Sequence, residues 1–167
     1  MLLMSVIVLS RIHEILLSRK NELIIVDKHK AKLASSWEHY LIYGFHFCWF
    51  ISLTLESIYK KEVSTGIEAL LIYFILTISQ ILRIESMSSL GDYWTAKIYK
   101  IPGQKICFQG IYRFMAHPCY LAVSLEFFAL PYLFHAYWTI LIFFPLNLIL
   151  IANRIRLEKK ITGRLWT

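Results

Sequence analysis

Five apolar runs constrain this chain more than any other feature, because the connections between them and the tail after the last carry seventeen of its eighteen Lys and Arg residues. The runs are Met1 to Leu17, Tyr40 to Ile58, Ile67 to Leu82, Tyr120 to Leu133 and Tyr137 to Ala152. A bilayer core takes about 20 residues of helix. Several runs fall short of that, so flanking aromatic residues and snorkelling cations must complete the spans. Composition agrees: 57% of the residues are hydrophobic and 16% aromatic. Ordinary soluble domains are closer to half apolar, and Trp and Tyr collect at membrane interfaces. The expectation is an all-α, polytopic membrane helix bundle of about five transmembrane helices, with residues 1–167 forming a single domain. The Pro131 to Ala136 turn joins the last two runs into a helical hairpin.

Charge placement orients the bundle. The segments Ser18 to His39, Arg83 to Cys119 and the tail after Ala152 hold five cations each. The Tyr59 to Gly66 connection holds Lys60 and Lys61, and the hairpin turn holds none. Lys and Arg are retained on the cytoplasmic side, so the N-terminus is expected outside and the tail in the cytoplasm, in a bacterial cytoplasmic membrane. The net charge of +7 does not point to nucleic acid, since the cations lie between apolar runs and not on one polar module. Cys48, Cys107 and Cys119 form no CxxC pair and no metal spacing, which argues against disulfides and a metal centre. Arg11, His13 and Glu14 interrupt the first run and no small-residue cleavage site follows, so a retained helix is expected there and not a signal peptide.

Between the third and fourth runs lies Leu90 to Tyr120, with three of the six glycines and two of the four prolines. Pro102-Gly103 is a turn signal, and Gly110 permits close approach of backbone to a ligand. Tyr112, His117 and Tyr120 offer flat faces and hydrogen-bonding tips. His117 and Tyr120, three apart, share a face if a helix starts near Pro118. In the tail, Arg154 and Glu158 are four apart and face the same way. An arginine can clamp a carboxylate bidentately. The stretch reads as a ligand-binding loop at a membrane surface. The chain shows no Ser-His-Asp order and no phosphate-cradling Gly-rich loop.

The ordered set Leu90-Gly91…Trp94, Pro102-Gly103…Gly110…Tyr112-Arg113, His117-Pro118…Tyr120 and Arg154…Glu158 resembles the isoprenylcysteine carboxyl methyltransferase family. Arg19-Lys20-Asn21-Glu22 and His39-Tyr40 resemble its small bacterial branch, some of whose enzymes are associated with O-methylation of lipid-like alkylpyrones. The resemblance implies a membrane enzyme with a cytosolic cofactor-binding loop for S-adenosyl-L-methionine (SAM). The positions implied to bind it are Gln104, Lys105, Ile106, Cys107, Tyr112, His117, Pro118, Cys119, Tyr120 and Glu158. Arg154 falls where the acceptor carboxylate is engaged, as the catalytic and substrate-binding residue. The implied reaction is direct methyl transfer to a carboxylate or hydroxyl of a lipidic small molecule. The implied partners are membrane lipids and that acceptor, with no nucleic acid and no obligate protein partner.

The chain departs from the family pattern at Ala116, where a basic residue is usual, and at Lys159, where a second acid is usual. These departures motivate an alternative: a non-catalytic membrane protein that keeps the methyltransferase fold as a lipid-binding module or partner subunit. The remaining polar residues have blander readings. Arg11 is placed to pair with Glu14, and Glu56 and Glu68 read as interfacial or paired. Gln80 and His46 read as interhelical hydrogen-bond partners. Glu126, deeper in its run, reads equally as packing glue or pocket wall. Cys107 and Cys119 have no base placed near them by sequence to make either a nucleophile.

Overall fold

The computed structural model describes residues 2–34, 37–103 and 109–162, and five α-helices dominate them. Helix α1 is Leu2–His29, α2 Glu38–Lys60, α3 Gly66–Leu90, α4 Pro118–Leu133 and α5 Tyr137–Thr162. Short 3-10 turns occupy Gly91–Tyr93 and Gly110–Arg113. Two-residue strands β1 (Lys32–Leu33) and β2 (Tyr99–Lys100) pair antiparallel, Lys32 opposite Lys100 and Leu33 opposite Tyr99. The all-α expectation therefore holds. Helices α2, α3 and α5 are long and apolar enough to cross a membrane, while α4 has 16 residues. The helices outrun the apolar runs: α1 continues to His29, α3 to Leu90 and α5 to Thr162. Those extensions carry the polar residues that build the site.

The core sits where α3 and α4 pack side by side, with α2 and α5 against them. Phe127 is its centre, parallel to Phe45 at 5.5 Å and to Trp49 at 4.3 Å. Small residues allow the close approach of α3 and α4, as in other membrane bundles: Ser79, Ala122 and Ala129 are fully buried, and Ser79 Oγ donates to the Ala122 carbonyl at 2.9 Å. At the end of the bundle away from the site, the α4–α5 turn is closed by Ala136 N–H on the Pro131 carbonyl at 2.8 Å. There the first-turn N–H groups of α5, which no helix can satisfy internally, find Glu56 of α2. Its carboxylate accepts from Trp138 N at 3.0 Å, Thr139 N at 2.9 Å and Thr139 Oγ1 at 2.8 Å. Glu68 accepts from Tyr132 at 2.8 Å, so both acids are paired.

Candidate active site

The opposite end of the bundle is built by α1, the segment 91–100, the start of α4 and the end of α5. Helix α1 presents Ser18, Asn21 and Glu22 on one face, at the i, i+3, i+4 spacing that aligns residues along a helix. Asn21 Nδ2 donates to the carbonyls of Gly91 at 3.0 Å and Trp94 at 2.9 Å. Ala96 N–H donates to Ser18 Oγ at 2.9 Å, and Ser18 in turn donates to Glu22 at 2.8 Å. Glu22 also takes Lys97 Nζ at 2.7 Å and Tyr99 at 3.3 Å; its hydrogen bond, before its charge, holds the Lys97 ammonium above the usual lysine range. The segment is thus fixed as a rigid strap across the bundle end.

Ala96 hands that rigidity to α5. Its carbonyl accepts from Arg154 Nη2, while Arg154 Nε donates to the Tyr120 hydroxyl at 2.8 Å. The same hydroxyl donates to Glu158 Oε1 in a short contact, and Arg154 and Glu158 lie 3.7 Å apart along α5. Pro118 stands at the first turn of α4, where proline's fixed φ is pre-organised, with His117 as the residue before it. That start places the His117 ring parallel to Tyr120 with centroids 5.2 Å apart, and its Nδ1 3.7 Å from Glu158 Oε2. Burial first, and then the charge of Lys159, lower the His117 pKa from its ordinary value of 6.5. The imidazole facing Glu158 is accordingly neutral near pH 7.

The constellation opens onto a cavity of about 570 Å³, inside the 300–1,000 Å³ range of small-molecule sites. Tyr112, His117, Cys119, Tyr120, Arg154 and Glu158 all line it. Pro118 is buried and serves the helix start. Gln104, Lys105, Ile106 and Cys107 lie outside the described residues. Tyr112 is held by a 2.6 Å hydrogen bond to Ser86 of α3, and Cys119 is a half-buried free thiol. Gly110 makes a close approach to protein: with φ +54, a Cβ there would lie 2.0 Å from Ser89 Oγ. One expectation changes. Among the described residues His46 hydrogen-bonds within its own helix, to the Ile42 carbonyl at 2.9 Å, and not between helices. Gln80 does bridge helices, donating to Glu126. Glu126 lines the cavity and also binds α3, so wall and glue are both its roles. Ser18 and Ala96 were not singled out by sequence, and Asn21 and Glu22 only as part of the family resemblance, with no role; the signal for Ser18 was the polar stripe it shares with Asn21 and Glu22.

A family model described as the isoprenylcysteine carboxyl methyltransferase (ICMT) family matches residues 70–162. Protein YpbQ of Bacillus subtilis (strain 168), itself described as uncharacterized, is 34% identical over 163 residues, covering 95% of this chain and 94% of YpbQ. No solved structure matches the chain. The matched span runs from α3 through the strap, the Tyr120 helix and the Arg154–Glu158 helix, and three of the helices can cross a bilayer. The chain is therefore an integral membrane protein of the bacterial kind belonging to the isoprenylcysteine carboxyl methyltransferase family, a family of methyltransferases.

Proposed function

We propose that the protein is a SAM-dependent O-methyltransferase that acts on a carboxylate or hydroxyl of a lipidic acceptor at the cytosolic face of a bacterial cytoplasmic membrane. The observation that carries the reading is the Tyr120–Arg154–Glu158 contact set, with His117 stacked on it, at the polar end of an apolar-walled cavity. The donor set fits a sulfonium cofactor: two stacked aromatic faces suit a cation, a carboxylate suits amino or hydroxyl groups, and neutral His117 adds no opposing charge. SAM, when bound, supplies an electrophilic methyl group. The chain's own part is alignment and exclusion of water, which is most of what such a displacement needs. Glu158 and Tyr120 form the cofactor side. Arg154, with its Nη1 N–H groups not engaged by any described residue, faces the acceptor's oxygen. A carboxylate or enolate acceptor is already anionic, so no strong base is required. The strap holds Arg154 through Ala96, so the guanidinium is oriented before a ligand arrives.

Isothermal calorimetry of the detergent-purified protein with S-adenosylhomocysteine tests the cofactor half. Saturable binding at micromolar ligand is expected; absence of heat from folded protein at high micromolar ligand counts against the enzyme. The competing reading keeps the fold without chemistry, and the engagement of Arg154 by Ala96 and Tyr120 favours it to the extent that the pair only staples α5 to the strap. Under that reading no binding is seen. Lipid mass spectrometry of cells with and without the protein, searching for the 14-dalton replacement of H by CH₃, then identifies the acceptor.

A further inference from the structure

Helix α1 borders a second hollow, a groove of about 680 Å³ against α3. Glu14 and Arg83 line both this groove and the cavity of Tyr120 and Arg154. Membrane helices pack closely where small residues meet. Here α1 meets α3 through two long side chains, with Arg83 Nη1 donating to Glu14 Oε2 at 3.1 Å. It meets the turn after α3 through Asn21, which donates to the Gly91 carbonyl at 3.0 Å. The two bonds join residues 69 and 70 positions apart, so the helices run in the same direction and in step, with the groove along them.

The lining recurs at three- and four-residue steps, Leu9, His13, Leu17 and Lys20 on α1, and Gln80, Ile84 and Met87 on α3. Leu9 and Asn21 are twelve residues apart, about 18 Å along the helix axis. One leaflet contributes about 15 Å to a bilayer core, so the groove is about one leaflet deep. Its walls are apolar below the mouth. Leu9 and Ile84 are 64% and 58% exposed, and Leu17 and Met87 half-buried, with His13 the exposed polar side chain among them. Glu14 and Arg83 present little charge there, since their side chains are 12% and 4% exposed and paired with each other. Ser10 and Gln80 are engaged by the Ile7 carbonyl and by Glu126.

The mouth is charged. Lys20, Ser88 and Asp92 line it and are exposed, and the Asn21–Gly91 bond sets the neighbours of Lys20 and Asp92 side by side. Among the described residues neither Lys20 nor Asp92 belongs to an ion pair. A rim with one cation and one anion complements a head that carries one charge of each sign. A phosphate accepts from the Lys20 ammonium and the Ser88 hydroxyl, and a primary ammonium donates to the Asp92 carboxylate. A phosphoglycerol head brings only negative charge beside Asp92, and a quaternary ammonium has no N–H to donate.

We propose that the α1–α3 groove seats one phospholipid of the leaflet at the Tyr120–Arg154 end. Its acyl chain runs along Leu9, Leu17, Ile84 and Met87, and its head, a phosphate bearing a primary amine, lies at Lys20 and Asp92. The lipid fills the space that the long polar contacts leave between α1 and α3. The proposal is independent of methyl transfer.

The test is native mass spectrometry of the full-length, delipidated protein in detergent. It is titrated with phosphatidylethanolamine, phosphatidylglycerol or phosphatidylcholine of identical acyl chains. The first phosphatidylethanolamine is expected to bind about threefold to fivefold tighter than either of the others, the range of an exposed charge pair. Asp92→Asn should bring phosphatidylethanolamine down to the level of phosphatidylcholine, and Lys20→Met should weaken all three lipids. Both side chains are exposed, so neither change empties a packed position. Equal binding of the three lipids, a preference for phosphatidylglycerol, or no retained lipid overturns the proposal. So does an ethanolamine preference that survives Asp92→Asn, or affinities that Lys20→Met leaves unchanged.

Discussion

Arg154 and Glu158 sit one turn apart on α5 and share the Tyr120 hydroxyl, yet their chemistry divides them. Glu158 takes hydrogen bonds and carries negative charge; Arg154 gives them from a planar fork. Charge-assisted hydrogen bonds are about twice as strong as neutral ones, so Glu158→Gln should weaken S-adenosylhomocysteine binding about tenfold, roughly 1.4 kcal/mol. Arg154→Lys keeps the positive charge but loses the fork that spans Ala96 and Tyr120. It should leave cofactor affinity within a few-fold and lower transfer of labelled methyl to a membrane lipid extract. Calorimetry and the transfer assay on both variants check this: equal losses of cofactor affinity reject the division, and loss of neither returns the pair to a structural staple. The sequence showed that the two residues face the same way. It could not show Ala96, because a backbone carbonyl has no signature in side-chain identity.

At the scale of elements, α1 is joined to the rest by polar contacts at two levels, the ion pairs of Arg11 with Glu126 and of Glu14 with Arg83, and the strap clamp at Ser18–Asn21–Glu22. The clamp is legible only in part. Its stripe lies in the sequence, but its partners are two carbonyls, a backbone N–H and two side chains some 70 or more residues away, and no local pattern announces them. The apolar runs, by contrast, foretell the bodies of α2 to α5, since a helix that faces lipid must be apolar along its length. The clamp's members should differ in weight. Asn21, 2% exposed, satisfies two carbonyls, so Asn21→Ala leaves buried acceptors bare and should cost about 1–3 kcal/mol. Lys97 is a partly exposed ion-pair partner, its side chain 23% exposed, and Lys97→Met should cost about 0–1 kcal/mol. Thermal unfolding of the two variants in detergent checks the order; a larger loss for Lys97→Met would show that the strap is held by charge and not by the buried amide.

The whole molecule is an inside-out distribution of side chains: Leu23, Tyr59, Ile67 and Phe47 are each 66–84% exposed, on a surface that water would penalise and hydrocarbon does not. Its two ends differ. The Ser64–Leu133 and Glu56–Thr139 contacts gather the connections 61–65 and 134–136 at one end. Strand pairing and the clamp gather 30–34 and 91–100 at the other, with the end of α5. The first end has Lys60 and Lys61; the second has Lys28, Lys30, Lys32, Lys97 and Lys100 and the α5 cations Arg154, Arg156, Lys159 and Lys160. Sequence charge counting and three-dimensional clustering therefore select the same face, and the retention of Lys and Arg in the cytoplasm predicts that this face is the cytoplasmic one. Reporter fusions should then place Pro102 in the cytoplasm and Glu62 and His135 outside: a phosphatase that needs export should be active at the last two positions and silent at Pro102, and a cytoplasmic fluorescent reporter should do the reverse. The same map bears on mechanism. Tyr120, Arg154 and Glu158 belong to the Pro102 end, so a cytoplasmic Pro102 gives the site access to the cell's SAM, whereas an outward-facing Pro102 would separate site from cofactor and sink the topology and the enzyme together.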